Sequence, residues 1–367
     1  MTINKLFRNP TNVVAYASVI VALYFLILGL IQAQSVLAPV LLALVIAMLT
    51  VPLARKMEEK LNFKRVFASL VSLLVVILVT VGITALVFFQ FSNFIADSGD
   101  ITGKMEKTLS SVEKFMIENT PLERESLDEF KADYGLKETE DGEEGDNVKE
   151  NQQEAMTILG AMGGFLAAWI LTYVYVFLFI QYRKKFFNFL LRLFPADEQK
   201  RISVIVIQSL EVVQHYIVGR LILMVFLAIL YGIGLMISGV ENYVLVSLIG
   251  AVLSIIPFIG NMIAYVIAVV IGLGGGGDTQ MILGVTLTFV VVQFVDSYIF
   301  QPLVLGSKLN VNPFFIIFSV LVGNAIWGIV GMVLSIPLFA VITIITNKVP
   351  DWEAFGYLFR NNKEDVE

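Results

Sequence analysis

The sequence predicts an all-α polytopic membrane protein with about eight membrane segments. Two of these are expected to be broken or re-entrant, forming a C-terminal inverted repeat, and an acidic insert is expected outside the membrane. Three observations carry this. Apolar residues make up 57% of the 367 and charged ones only 15%, where soluble domains carry roughly a quarter charged. The apolar runs are lipid-length and too numerous for a leader peptide followed by a globular core. Two of the later runs are interrupted by glycine-asparagine steps and prolines, which free backbone groups that hydrocarbon tolerates only beside a protein cavity or water path.

Three spans come first, Val13–Ile31, Val36–Ala54 and Val66–Phe89, forming an N-terminal scaffold over residues 1–90. The first has no A-x-A pattern after it and reads as a retained span. An insert over 91–156 follows. Between Asp97 and Glu154 lie 18 acidic and 7 basic residues, a balance of −11, so the rest of the chain is basic by 5 and the chain as a whole carries −6. Met105, Leu109, Val112, Phe115 and Met116 recur at helical spacing, which predicts an amphipathic helix; the later LKETEDGEEGDNVKEN predicts a flexible stretch.

A fourth span is expected over 157–181 and a cytoplasmic segment over 182–217. From Pro195 this segment reads as an interfacial helix. Ile202, Val206, Val213 and Ile217 form its apolar stripe against Arg201, Gln208, Glu211 and His215. His215 is the only histidine; on that polar face it reads as a surface residue before it reads as a pH sensor.

Residues 218–346 divide into two similar units and form the expected transport unit, with a cytoplasmic tail over 347–367. Each unit is a span, Val218–Ile237 or Met281–Phe300, followed by a broken segment, Tyr243–Leu273 or Pro313–Thr346. The breaks are expected at Pro257 and Gly260 in the first and at Gly323 and Pro337 in the second. GNMIAYVIAVVIGL parallels GNAIWGIVGMVLSI. Each broken segment either crosses once or enters and leaves on one side as a hairpin. The short arms Tyr243–Ile256 and Pro313–Val322 favour hairpins. Lysines and arginines before span one, after span two and after span four put both termini in the cytoplasm and the insert outside.

Asp296 stands in the apolar run VVVQFVDSYIFQP with Gln293 one turn before it. A carboxylate in a membrane faces a cavity or partner and suggests a proton or cation carrier. The alternative is an interface charge paired with Arg220 or Lys308. Asn261 and Asn324 follow the glycines and offer amide oxygens beside unwound backbone, suited to sodium or sugar-like hydroxyls; helix capping is the other reading. Sodium is thus expected near Asp296, Asn261 and Asn324. Arg220 is either a partner of Asp296 or of an anionic solute, or a snorkelling arginine. GLGGGGDTQ lacks the spacing and lysine of a phosphate loop and reads as a hinge.

There is no cysteine. No nucleophile-base or metal constellation appears, so neither catalysis, a cofactor nor a resident metal is expected. An oligomeric channel or a non-transporting scaffold would fit the same composition.

IIPFIG, DSYIFQPLVLGSKLNVNPFFIIFSVLVG, WGIVGMVLSIPL and YIVGRLIL, with the layout of three spans and an insert, resemble the autoinducer-2 exporter family. The resemblance covers nearly the whole chain outside the acidic insert. It implies a homo-oligomeric protein of the bacterial inner membrane that exports a small polar solute, an autoinducer-2-like signalling molecule or related metabolite. Sodium (or lithium)/proton antiport is the alternative it implies. Expected partners are the bilayer, that solute and sodium or protons, without nucleic acid. The chain departs from the family pattern in carrying an amide at Asn261 and aspartate, rather than glutamate, at Asp296.

Overall fold

Apolar chain in hydrocarbon must satisfy its backbone internally, and helices do so within one segment. The computed structural model describes residues 10–98, 147–274, 277–304 and 310–361, and among these all regular structure is helical. The expected amphipathic helix and most of the acidic insert lie outside the described residues, as do Lys308 and part of the glycine-rich hinge.

The helices are α1 (Pro10–Gln32), α2 (Gln34–Lys60), α3 (Arg65–Ser98), α4 (Asn147–Arg192), α5 (Gln199–Ile237), α6 (Tyr243–Leu253), α7 (Ile259–Gly274) and α8 (Thr279–Val295). A π-helical turn, Asp296–Phe300, leads into the short α9 (Gln301–Val304). Then come α10 (Pro313–Lys348) and, after a 3-10 turn, α11 (Glu353–Phe359). Six described helices are long and apolar enough to cross a membrane.

The chain forms two compact units. The first comprises residues 1–73, 168–214 and 309–367; the second comprises 74–167 and 215–308. Residues 218–346, expected as one transport unit, are therefore divided between them.

In the first unit α2 presents small residues, Ala43, Ala47 and Ala54, which pack with Ala68, Val176 and Ile180 in one buried cluster. Small side chains allow the close backbone approach that drives packing in lipid. Pro52 lies inside α2 and has no N–H, so the carbonyl four residues before it, on Met48, loses its helical partner. The Gln214 side chain donates to that carbonyl at 2.6 Å. Glu58 on α2 and Arg183 on α4 form an ion pair whose side chains are 21% and 10% exposed.

Two corrections concern the helix boundaries. The expected interfacial helix and the span after it are a single helix, α5, because nothing between Gln199 and Ile237 breaks the ladder. In the second broken segment the break falls at Trp327–Gly328, not at Gly323 or Pro337. Gly328 takes φ 56°, ψ −136°, a conformation glycine alone adopts readily. Gly323 and Pro337 lie within the helical arms. A Cβ on Gly323 would strike the Gly331 carbonyl, and one on Gly331 would strike that of Gly323. The two arms therefore run back along one another as a helical hairpin. Phe315 and Phe339 stack across it at 5.6 Å, and Phe359 of α11 closes on both rings, at 4.8 and 5.1 Å. At the tip, the Trp327 indole donates to the Leu30 carbonyl at 2.9 Å.

In the second unit α6 and α7 form another helical hairpin. Its turn, Ser254–Phe258, contains Pro257 and the positive-φ residue Phe258. A Cβ on Gly260 would meet the Leu253 carbonyl, so this glycine closes the hairpin just after the turn. α5 and α8 pack antiparallel: Gly234 leaves room for Thr288, and Gly284 for Ser238. Leu227, Tyr231, Leu235, Val285, Phe289 and Val292 fill the core between these helices and the hairpin.

Candidate functional site

Asp296 ends α8 and begins the π-turn, where the helical hydrogen bond skips one residue further than usual. The Gln301 backbone N–H bonds to the Asp296 carbonyl, and this brings the Gln301 side chain to the carboxylate, where Nε2 donates to Oδ2 at 2.8 Å. An α-helix would put residues five apart on different faces. Asp296 is 2% exposed, and its Oδ1 is buried without a hydrogen-bond partner.

α5 passes alongside. Phe226 meets Phe300 at 5.0 Å and Tyr231 meets Phe289 at 4.6 Å, which places the Asp296 level between these contacts. Tyr231 is fully buried and its hydroxyl also lacks a partner. So does Nε of Arg220, farther down the same helix. Arg220 and Asp296 do not form an ion pair. Unpartnered buried polar atoms are costly, and the open Oδ1 of Asp296 marks a place built for something besides packing.

Gln293 does not serve Asp296. Its Oε1 accepts from Asn261 Nδ2, and its Nε2 donates to Ser297 Oγ at 3.0 Å. Asn261 Oδ1 is buried and unpartnered. This makes a second polar row across α7 and α8, and Gln293 and Ser297 are exposed. Asn324 is exposed and belongs to the first unit, whereas Asp296, Gln293, Asn261 and Arg220 belong to the second. Of the break residues, Pro257 sits in the first hairpin's turn, Gly260 and Gly323 at close backbone contacts, and Pro337 is buried within the second arm of α10.

Sequence reasoning missed Tyr231 and Gln301. Tyr231 offered no signal apart from a hydroxyl in an apolar run. Gln301 offered one: an amide next to Pro302 at the end of a span.

A groove of about 740 Å³ lies between the C-terminal end of α5 and α8. Much of its polar lining is already engaged. Ser238 and Thr288 share a hydrogen bond at 3.3 Å, and Asp278 caps α8 by accepting from the Met281 N–H at 2.9 Å. The groove is an apolar surface, and the buried carboxylate is the chemically distinctive feature of the unit.

Residues 20–351 match the family model described as AI-2E family transporter. The proposed transport protein YrrI of Bacillus subtilis (strain 168) is 29% identical over 151 residues, 41% of this chain and 42% of that protein. The proposed transport protein YueF of the same organism is 29% identical over 127 residues, 35% of this chain and 34% of its own length. The proposed transport protein MT0215 of Mycobacterium tuberculosis (strain CDC 1551 / Oshkosh) is 23% identical over 258 residues, 70% of this chain and 68% of that protein. The chain thus spans under half the length of the two Bacillus proteins and about two thirds of the mycobacterial one. With membrane-length helices among the described residues and a family match over nearly its whole length, the chain belongs to the AI-2E transporter family.

Proposed function

We propose that this protein is a secondary transporter that exports a small polar solute, an autoinducer-2-like signalling molecule or related metabolite, with Asp296 as the ion-coupling group. The carrying observation is the Asp296 carboxylate, buried in an apolar span with one oxygen held by Gln301 and the other unpartnered. Leaving a bare carboxylate there is expensive, so its stable occupant is a proton or a small cation. The Asn261–Gln293–Ser297 row supplies amides and a hydroxyl suited to a hydroxylated solute. The two hairpins act as re-entrant gates, each having a close-packed glycine and a tight break. Both termini face the cytoplasm of a bacterial inner membrane, the acidic insert lies outside, and the protein works as a homo-oligomer.

A second reading, sodium (or lithium)/proton antiport, is favoured by the spare Oδ1 of Asp296, an acceptor of the hard-oxygen type that sodium takes. One experiment separates the two. Proteoliposomes holding a pH gradient are given sodium or lithium, and proton flux is followed for wild type and Asp296→Asn. Cation-triggered flux that disappears in the variant supports antiport through Asp296. Without such flux, labelled-solute counterflow tests export, and counterflow unaffected by Asp296→Asn overturns the coupling role.

A further inference from the structure

α11 lies across the open end of the second hairpin. Its Phe359 carbonyl accepts from the Asn312 N–H at 2.8 Å, at the start of the first arm. Gly356 rests on the end of the second arm, where a Cβ would stand 2.8 Å from Asn347 Oδ1 and 3.0 Å from the Asn347 backbone N. α10 is apolar enough to lie in a membrane, and the residues at its two ends, Asn310, Asn312, Asn347 and Lys348, are polar. α11 therefore sits where the apolar run gives way to polar chain, which is the level of the lipid headgroups.

This short helix is apolar on both faces, with Glu353 its one charged residue. Gly356 and Phe359 face the hairpin. Trp352 just before the helix, and Phe355, Tyr357 and Leu358 within it, are each 49–55% exposed, so no other part of the chain covers them. Seven residues do not hold a helix in water unaided, and an outer face this apolar is not built for water. Its rings also run on into the exposed apolar surface of α10. Phe355 meets Phe359 at 6.0 Å, Phe359 meets Phe315 at 4.8 Å, and Phe315 meets the exposed Phe314 at 5.1 Å. Tryptophan and tyrosine concentrate where a bilayer meets water, and arginine there reaches outward on its stem. Arg360 follows α11 with its guanidinium over the Tyr357 ring, 5.3 Å from the centroid.

We propose that residues 350–360 form a lipid-docking foot whose outer face, Phe355, Tyr357 and Leu358 with Trp352, seats in the headgroup–acyl boundary of the bilayer. The charged Asp351, Glu353 and Arg360 stay among headgroups and water. The inner face, through Phe359, ties the open end of the α10 hairpin to that boundary and so fixes its depth. The partner is the lipid surface itself, recognised by apolar area and interfacial aromatic rings.

The chain has no cysteine, so each introduced one is a unique labelling site. Spin labels are attached to Phe355→Cys and Leu358→Cys in the full chain, reconstituted in phosphatidylethanolamine/phosphatidylglycerol vesicles. Collision with oxygen, which concentrates in hydrocarbon, is compared with collision with a water-soluble nickel chelate. Asp197→Cys, on an exposed turn, is the water control, and Leu78→Cys, exposed in the middle of α3, is the hydrocarbon control. Both foot labels are expected to show an oxygen-to-nickel ratio at least about threefold above the water control. A ratio within that margin of the water control overturns the proposal. So does shielding from both reagents, which means that protein covers the face; spin–spin broadening that disappears on dilution with unlabelled chain would identify that protein as a second copy. Should either labelled variant not purify as a monodisperse protein, Tyr357→Cys takes its place. The tie is read from a label at Phe314→Cys, whose ratio is expected to fall at least about twofold when Phe355→Asp and Leu358→Asp make the outer face polar, or with Leu358→Asp alone if the pair does not purify. If the foot labels lie in lipid but the Phe314 ratio does not move, the lipid seat stands and the tie to the hairpin fails.

Discussion

Gly323 and Gly331 touch backbone to backbone, although a straight helix would hold them roughly two turns apart. They lie equally far on either side of Trp327, as do the stacked rings of Phe315 and Phe339. That symmetry is the signature of two arms folded about one point, and it turns an apolar stretch long enough to span the membrane once into a hairpin.

A methyl group at either glycine has nowhere to go. Gly323→Ala and Gly331→Ala are each expected to destabilise the protein by about 1–3 kcal/mol or more, because backbone rather than a side chain must move. Gly29→Ala and Gly82→Ala meet nothing and serve as controls, with stability unchanged or raised by up to about 1 kcal/mol. Thermal unfolding in detergent measures the contrast. Equal behaviour of the two pairs would contradict the hairpin.

Pro52 and Gln214 should be energetically coupled. Gln214→Leu leaves the Met48 carbonyl without a donor and is expected to cost about 1–3 kcal/mol. Pro52→Ala restores a backbone N–H to that carbonyl, so the double variant should lose less than the single Gln214 variant. A double-mutant cycle in chemical or thermal unfolding reads the coupling. Additive effects would mean the amide is incidental.

The two ion pairs should differ sharply in worth. Removing one partner of Glu58–Arg183, with side chains 21% and 10% exposed, is expected to cost about 3 kcal/mol. Removing one partner of Glu198–Arg201, with side chains 40% and 41% exposed, is expected to cost less than ~1 kcal/mol. Unfolding of Arg183→Ala beside Arg201→Ala checks both in one experiment.

Gln301 should matter to transport through Asp296. Gln301→Leu removes the donor to Oδ2 and is expected to slow cation-coupled flux about tenfold, equivalent to ~1.4 kcal/mol, with Gln301→Asn intermediate because its amide reaches less far. Initial rates at matched protein incorporation decide. A wild-type rate in Gln301→Leu would remove the amide from the coupling site.

Much of the fold was written in run lengths and breakers. The first hairpin was legible because Pro257 interrupts a helix and its arms are short for full spans. The second was legible as a hairpin but its turn was misplaced. A glycine that admits a neighbouring backbone, as Gly323 does, reads the same in sequence as one that takes positive φ, as Gly328 does. The polar face of Arg201, Gln208, Glu211 and His215 suggested a separate interfacial helix, and nothing in it revealed that Gln214 beside them reaches the freed Met48 carbonyl. Asp296 stood out as a charge among apolar residues. Its partner Gln301 did not, because helical periodicity assigns a residue five positions on to another face and only the π-turn reunites them.

The aromatic closure of the second hairpin has a consequence for biogenesis. Phe315 and Phe339 belong to the arms, but Phe359, which seals both rings, follows them in the chain. During synthesis the arms emerge first and can be inserted while still splayed. The clasp forms only after residue 359 has been made, so a nascent chain stalled before that point would carry its hairpin unlatched and offer quality-control proteases an open end.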